Sequence, residues 1–95
     1  MINIDYIAES TYKVADEVSE GRIKAHEKHG TNSIETQQGS DHRFWLPCLI
    51  EEVGEAASEL TYDKGGEGRL RAELIDVITV ATAWVAALDR EKEER

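Results

Sequence analysis

Apolar residues recur at steps of three or four along three stretches of the chain, the spacing of helices that bury one face. The first stretch carries Ile4, Ile7, Val14, Val18 and Ala25, with Thr11 and Arg22 interrupting the stripe. It predicts a long helix from about Asp5 to Lys28, ended by His29-Gly30. Gly21 should let it bend or loosen, since glycine costs ~1 kcal/mol relative to alanine in a helix interior. The second stretch, Leu49, Val53, Ala56 and Leu60 widened by Leu46, Ile50 and Ala57, predicts a helix starting near Leu46-Pro47, because proline is tolerated in a first turn. The third, Leu70, Leu74, Val77, Ile78, Ala81, Val85 and Leu88, predicts a helix whose inner face these residues form.

The intervening segments differ. Thr31 to Phe44 is polar and aperiodic, long for a connection in so short a chain, and loops of that length often serve as lids or binding loops. Ile34 and Phe44 are the residues available to pin it down. Tyr62 to Gly68 contains three glycines and reads as a tight turn joining helices two and three into an antiparallel hairpin. Asp89 to Arg95 reads as a charged, fraying tail. The expected fold is all-α: an antiparallel hairpin plus a long N-terminal helix, one domain over residues 1–95.

Charge narrows the function. Twenty acidic residues against eleven basic ones give a net charge of −9, which disfavours nucleic acid and anionic membrane surfaces as partners. Cys48 is the only cysteine, so an internal disulfide or a zinc–thiolate cluster is excluded. The N-terminal residues lack the pattern of a signal peptide and no stretch is long enough to cross a bilayer, so a soluble, cytoplasmic protein is expected.

The acids are arranged, not scattered. Glu51-Glu52-Val53-Gly54-Glu55 lies on helix two and Glu73-Leu74-Ile75-Asp76 on helix three. At about 100° per residue, the acids of each E-x-x-E or E-x-x-D pair are about 60° apart, on the same edge of their helix relative to its apolar stripe. An antiparallel hairpin then gathers Glu52, Glu55, Glu73 and Asp76. With the turn centred near Gly65-Gly66, Glu55 should lie level with Asp76. Such a group of carboxylates suits a hard, oxygen-ligated divalent cation, Mg²⁺ or Mn²⁺. Gly54 would allow a close approach within the cluster, and Arg69 is placed to pair with Glu59 across the hairpin.

These residues resemble the MazG-like all-α nucleoside triphosphate pyrophosphohydrolases of the small stand-alone type. The signature of that family is E-E-x-x-E followed some twenty residues later by E-x-x-D, and the match covers about Leu46 to Leu88. The resemblance implies Mg²⁺-dependent hydrolysis of a nucleoside triphosphate to a nucleoside (or deoxynucleoside) monophosphate and pyrophosphate. It implies Glu52, Glu55, Glu73 and Asp76 as metal ligands, with Glu51, or alternatively Glu55, accepting the proton of the attacking water. Lys28 and Arg43 become candidates for phosphate contact and Trp45 for stacking on a base. No asparagine follows in the segment Val77 to Trp84, so base identity stays open. The family also implies a homodimer or homotetramer sharing a helix bundle, with Ile75 and Trp84 as available interface residues.

Other classes fit less well. A di-iron bundle needs Glu-x-x-His pairs, which the hairpin lacks. His26-x-x-His29 at a helix end is ordinarily solvated or capping. No calcium loop, phosphate-binding loop, nucleophile elbow or HExxH motif occurs. The competing functions are a non-catalytic helical module that binds a nucleotide or a partner protein, and a scaffold bundle with no ligand, in which replacing the acids would only relieve repulsion.

Overall fold

In a computed structural model of the chain, which describes residues 2–36, 41–61 and 68–93, three helices account for most of the described residues, and no strand is present among them. Helix α1 spans Ile4–His29, α2 His42–Ser58 and α3 Leu70–Glu93. Asn3 caps α1, its side-chain oxygen accepting the Tyr6 N–H at 2.9 Å. Gly30, at φ 56°, ends it in the left-handed region that glycine enters without a Cβ penalty. The helix continues without a break through Gly21, where ladder hydrogen bonds on both sides outweigh a propensity cost of ~1 kcal/mol.

Helix α2 begins a full turn earlier than Leu46-Pro47. Asp41 is the cap, accepting the Arg43 N–H, and Pro47 therefore sits inside the helix. Proline lacks the N–H that the Arg43 carbonyl would otherwise receive. Both residues are exposed, so water can take that place. Helix α3 also exceeds expectation, continuing to Glu93 through most of the supposed tail. Arg90 fixes this end by donating to the Glu35 carbonyl at 3.2 Å.

Two short 3-10 turns, Gly30–Asn32 and Ile34–Thr36, replace the structureless connection expected after α1. Ser33 is buried and its Oγ lies 2.7 Å from His26 Nδ1. Ile34 packs on the core, as expected, whereas Phe44 is exposed. The Arg22 guanidinium forks onto both oxygens of Glu35 at 2.6 and 2.7 Å. Arg22 thus leaves the apolar stripe of α1 to strap the turns down.

Helix α3 is the central element. Trp45 of α2 packs against Ala83 and Ala87, stacks on Trp84 with ring centroids 6.3 Å apart, and is 0 % exposed. Val18 of α1 is buried near Ile78 and Thr82, and Arg71 forks onto Glu17. At about 100° per residue, Arg71 and Thr82 lie roughly opposite Glu73 on α3, so α1 and α2 flank it on different sides. The molecule is slab-like, 43 × 37 × 23 Å.

This layout corrects the expected inner faces. Leu74, Ile78, Val85 and Leu88 on α3 are exposed, as are Leu46, Ile50 and Val53 on α2 and Leu60 just beyond it. The buried positions facing α2 are small residues and one glutamate: Ala83, Ala87 and Glu73. Periodicity correctly grouped the apolar residues on shared faces, but most of those faces are not covered within one chain.

Candidate metal centre

Helices α2 and α3 run antiparallel with a readable register. Trp45 lies against Trp84, Glu55 against Glu73, and Glu59 against Arg69. The expected level pairing of Glu55 with Asp76 is thus displaced by the length of one E-x-x-D step. The turn near Gly65-Gly66 on which that pairing depended lies outside the described residues. The acids still converge. Carboxylate oxygens of Glu52, Glu55 and Glu73 all lie within 4.8 Å of one another.

Glu73 is 7 % exposed, and Glu52 is half-buried beside it. Glu52 Oε2 and Glu73 Oε2 are both buried and accept no hydrogen bond among the described residues. Two unit charges 4 Å apart repel by about 4 kcal/mol at an effective dielectric of about 20. Burying unpaired carboxylate oxygens adds a desolvation cost. Such a cluster needs protons or a cation to offset both terms.

Protons partly do so in the absence of metal. Burial, then the charges of Glu55, Asp76, Glu73 and Glu51, push the Glu52 carboxyl up to about 7. Glu55 is raised by partial loss of water and by its hydrogen bond with Glu73. Asp76, outside the closest group of three, is raised by desolvation and by Glu73, against an opposing pull from Arg69. Glu51 is exposed and adjacent, adding negative charge without entering the cluster.

The positive ends available are few. The Glu59 carboxylate accepts the backbone N–H of Arg69 at 3.1 Å, at the start of α3. The guanidinium of Arg69 turns instead to Glu73, Nη2 to Oε1 at 3.4 Å. The expected side-chain pair Glu59–Arg69 is therefore replaced by a cap and a separate i,i+4 contact. Carboxylates near the first turn of α3 also gain from its dipole, which offsets part of their repulsion.

The residues expected to bind substrate are not gathered here. Arg43 precedes Glu52 by two and a half turns and points to the opposite side of α2, about 180° around at about 100° per residue. Its guanidinium is 95 % exposed and meets Asp41 at 3.3 Å. Lys28 is exposed at the end of α1 that runs away from Glu73, since Glu17 meets Arg71 whereas Arg22, further along α1, lines one cleft with Ile78 and Asp89. Trp45 is a core residue, so its ring is not offered to a base. Trp84 is half-buried on Trp45 and donates its indole N–H to His42 Nδ1 at 3.1 Å. A Cβ at Gly54 would meet nothing within 4 Å, so no close approach in this chain requires the glycine. The role of Arg69 was missed because the sequence offers two acids, Glu59 and Glu73, within its reach, and only the packed hairpin chooses between its backbone and its guanidinium.

The donor set fits a hard divalent cation: oxygen ligands only, several carboxylates, and two of their oxygens buried without partners. No protein-family model, characterised protein or solved structure matches the chain. Among the described residues, no helix is long and apolar enough to cross a membrane.

A pH-dependent stability follows from the raised carboxyls. In metal-free protein they hold protons that the unfolded chain has already released, so unfolding releases protons and stability falls as pH rises from about 4.5 to about 7. Glu17 and Glu35, lowered by hydrogen bonds from Arg71 and Arg22, act in the opposite sense, losing stability only at lower pH. Thermal melts in EDTA should therefore show Tm decreasing between pH 5 and pH 8. Millimolar Mg²⁺ should raise Tm at pH 8, because a ligand of the native state stabilises it by mass action. A Tm indifferent to Mg²⁺ at pH 8 would remove the cation from the site.

Proposed function

We propose that the protein is a Mg²⁺-dependent nucleoside triphosphate pyrophosphohydrolase, acting through Glu52, Glu55, Glu73 and Asp76. The observation that carries this reading is the pair of buried, unpartnered oxygens, Glu52 Oε2 and Glu73 Oε2, inside a cluster of three convergent carboxylates. The MazG-like pattern of acids supports the choice of reaction. Bound Mg²⁺, or Mn²⁺, would neutralise the phosphate chain and polarise the attacked phosphorus.

The protein's own residues divide the remaining tasks. Glu52, Glu55, Glu73 and Asp76 would hold the cation. Glu51, exposed at the edge of the cluster, is positioned to accept a proton from the attacking water, with Glu55 as its rival. The water oxygen bonds to one of the two phosphorus atoms flanking the α–β bridge, that atom's bond to the bridging oxygen breaks, and the products are the nucleoside monophosphate and pyrophosphate.

In this reading the apolar face of α2 and α3 is covered by a second copy. On each helix an exposed apolar arc lies on the same rotational side of its acids, about 100–160° from Glu52 and 60–140° from Glu73 at about 100° per residue. In an antiparallel pair those arcs share one broad surface, away from Glu55 and Asp76. Contiguous exposed apolar surface of this kind marks protein–protein contact sites. Sedimentation equilibrium at micromolar concentration should give a dimer or tetramer, and a monomer would overturn this part.

The test of function is pyrophosphate release from a panel of ribo-, deoxyribo- and modified nucleoside triphosphates with Mg²⁺ or Mn²⁺. Release with at least one substrate, abolished by EDTA, is expected. Cation binding with no release across the panel would instead indicate the non-catalytic nucleotide- or partner-binding module.

A further inference from the structure

Arg69 combines a fixed backbone with an exposed side chain. Its backbone N–H is held by Glu59 Oε1 at 3.1 Å, and its carbonyl accepts the Glu73 N–H at 2.9 Å. The side chain is 70 % exposed, and its contact with Glu73, at 3.4 Å, is longer than the 2.7–2.9 Å of a strong charge-assisted bond. A guanidinium carries five N–H donors in a planar fork that matches phosphate oxygens. Most of the side chain is open to solvent beside the acidic cluster.

The other basic groups are engaged or distant. Arg71 is committed to Glu17 and Arg22 to Glu35, and Arg43 and Lys28 lie away from the acids. Among the described residues, Arg69 is the cationic side chain that touches the cluster. Asp76 also feels its charge, which places the guanidinium near both acids of the E-x-x-D pair.

We propose that Arg69 contacts the phosphate chain of the substrate, and that its contact with Glu73 is a resting position from which the guanidinium moves when the site is loaded. This rests on the reading of the acids as a cation site. Two attractions compete for the guanidinium. Without a cation, the buried charge of Glu73 draws the guanidinium in, and a polyphosphate is repelled by the acids. With a cation shared among the carboxylates, the pull of Glu73 on Arg69 weakens, while an incoming phosphate chain offers acceptors of higher charge. The root of the side chain need not move, because Glu59 holds the backbone in either state.

The proposal separates from a merely structural role by the sign of two binding changes. Mn²⁺ binding to the full chain would be followed by electron paramagnetic resonance, and inorganic pyrophosphate binding by calorimetry at saturating Mg²⁺. In Arg69→Gln, Mn²⁺ alone should bind as tightly as in the unmodified protein or a few-fold more tightly. Pyrophosphate should bind about 10- to 100-fold more weakly, the loss of a hydrogen bond to a charged group. Arg69→Lys, which keeps the charge without the fork, should restore part of that loss, and circular dichroism would show both variants folded. A guanidinium that only orients Glu73 would give the reverse: weaker Mn²⁺ binding in Arg69→Gln, with pyrophosphate affected no further. Unchanged pyrophosphate affinity in both variants would also overturn the proposal while leaving the cation site intact. Failure of the unmodified protein to bind Mn²⁺ would instead remove the cation site on which it rests.

Discussion

Glu52→Gln and Glu73→Gln should each abolish high-affinity Mn²⁺ binding and lower pyrophosphate release on the order of 10²- to 10³-fold, with the helical fold retained. Several kcal/mol of transition-state stabilisation is the usual contribution of a catalytic cation, and each ~1.4 kcal/mol is tenfold in rate. The substitutions keep the shape of the side chain and remove its charge. Because Glu52 is held up to about 7 by burial and by neighbouring acids, neutralising it also relieves repulsion in metal-free protein. A Tm equal to or above that of the unmodified protein at pH 8 in EDTA is therefore expected for Glu52→Gln. Such stabilisation would follow equally from a bundle with no ligand, so the discriminating readouts are cation binding and turnover. Glu9→Gln, on the exposed surface of α1, is the matched control and should change neither. Undiminished Mn²⁺ affinity in both site variants would dismiss the cluster as a cation site.

Trp45→Ala should unfold much of the protein at 37 °C. The indole is 0 % exposed and packs on Ala83, Ala87, Ile34 and Trp84, with Phe44 edge-on at 5.5 Å. Truncating a buried aromatic to alanine costs about 3–5 kcal/mol. Domains of this size have about 5–15 kcal/mol in total, so this loss is a large fraction. Trp45→Phe should cost less, since it leaves a ring in place and removes an indole N–H that has no acceptor among the described residues. Urea denaturation of the two variants would check the order. A ring used for stacking on a base would behave otherwise: Trp45→Ala would remain as stable as the unmodified protein and lose only substrate affinity.

The resemblance to MazG-like enzymes and the packing of the acids bear on different parts of the reading. The spacing of Glu51, Glu52, Glu55, Glu73 and Asp76 suggests the reaction. The convergence of three carboxylates and the two orphaned oxygens suggests the cation, without reference to any family. The residues expected to meet the substrate fared differently, because single positions such as Lys28, Arg43 and Trp45 carry no periodic signal. A lone cation or aromatic ring has the same local pattern whether it solvates, packs or binds.

The sequence by itself determined the three helices and the shared helix edge of each acidic pair, because each rests on a repeating local spacing. It also placed the end of α1 at Gly30, where a positive φ favours glycine. Boundaries were less legible: a cap at Asp41 outweighed the usual preference of Pro47 for a first turn, and Arg90 extended α3 by anchoring to Glu35. Tertiary structure alone decided the register that sets Glu55 against Glu73, the burial of Trp45 and the turn of Arg69 toward Glu73 rather than Glu59. It also decided that Leu74, Ile78, Val53 and Leu60 stay uncovered within one chain. Helical periodicity states which residues share a face, whereas the partner that covers a face is fixed by packing between segments distant in sequence.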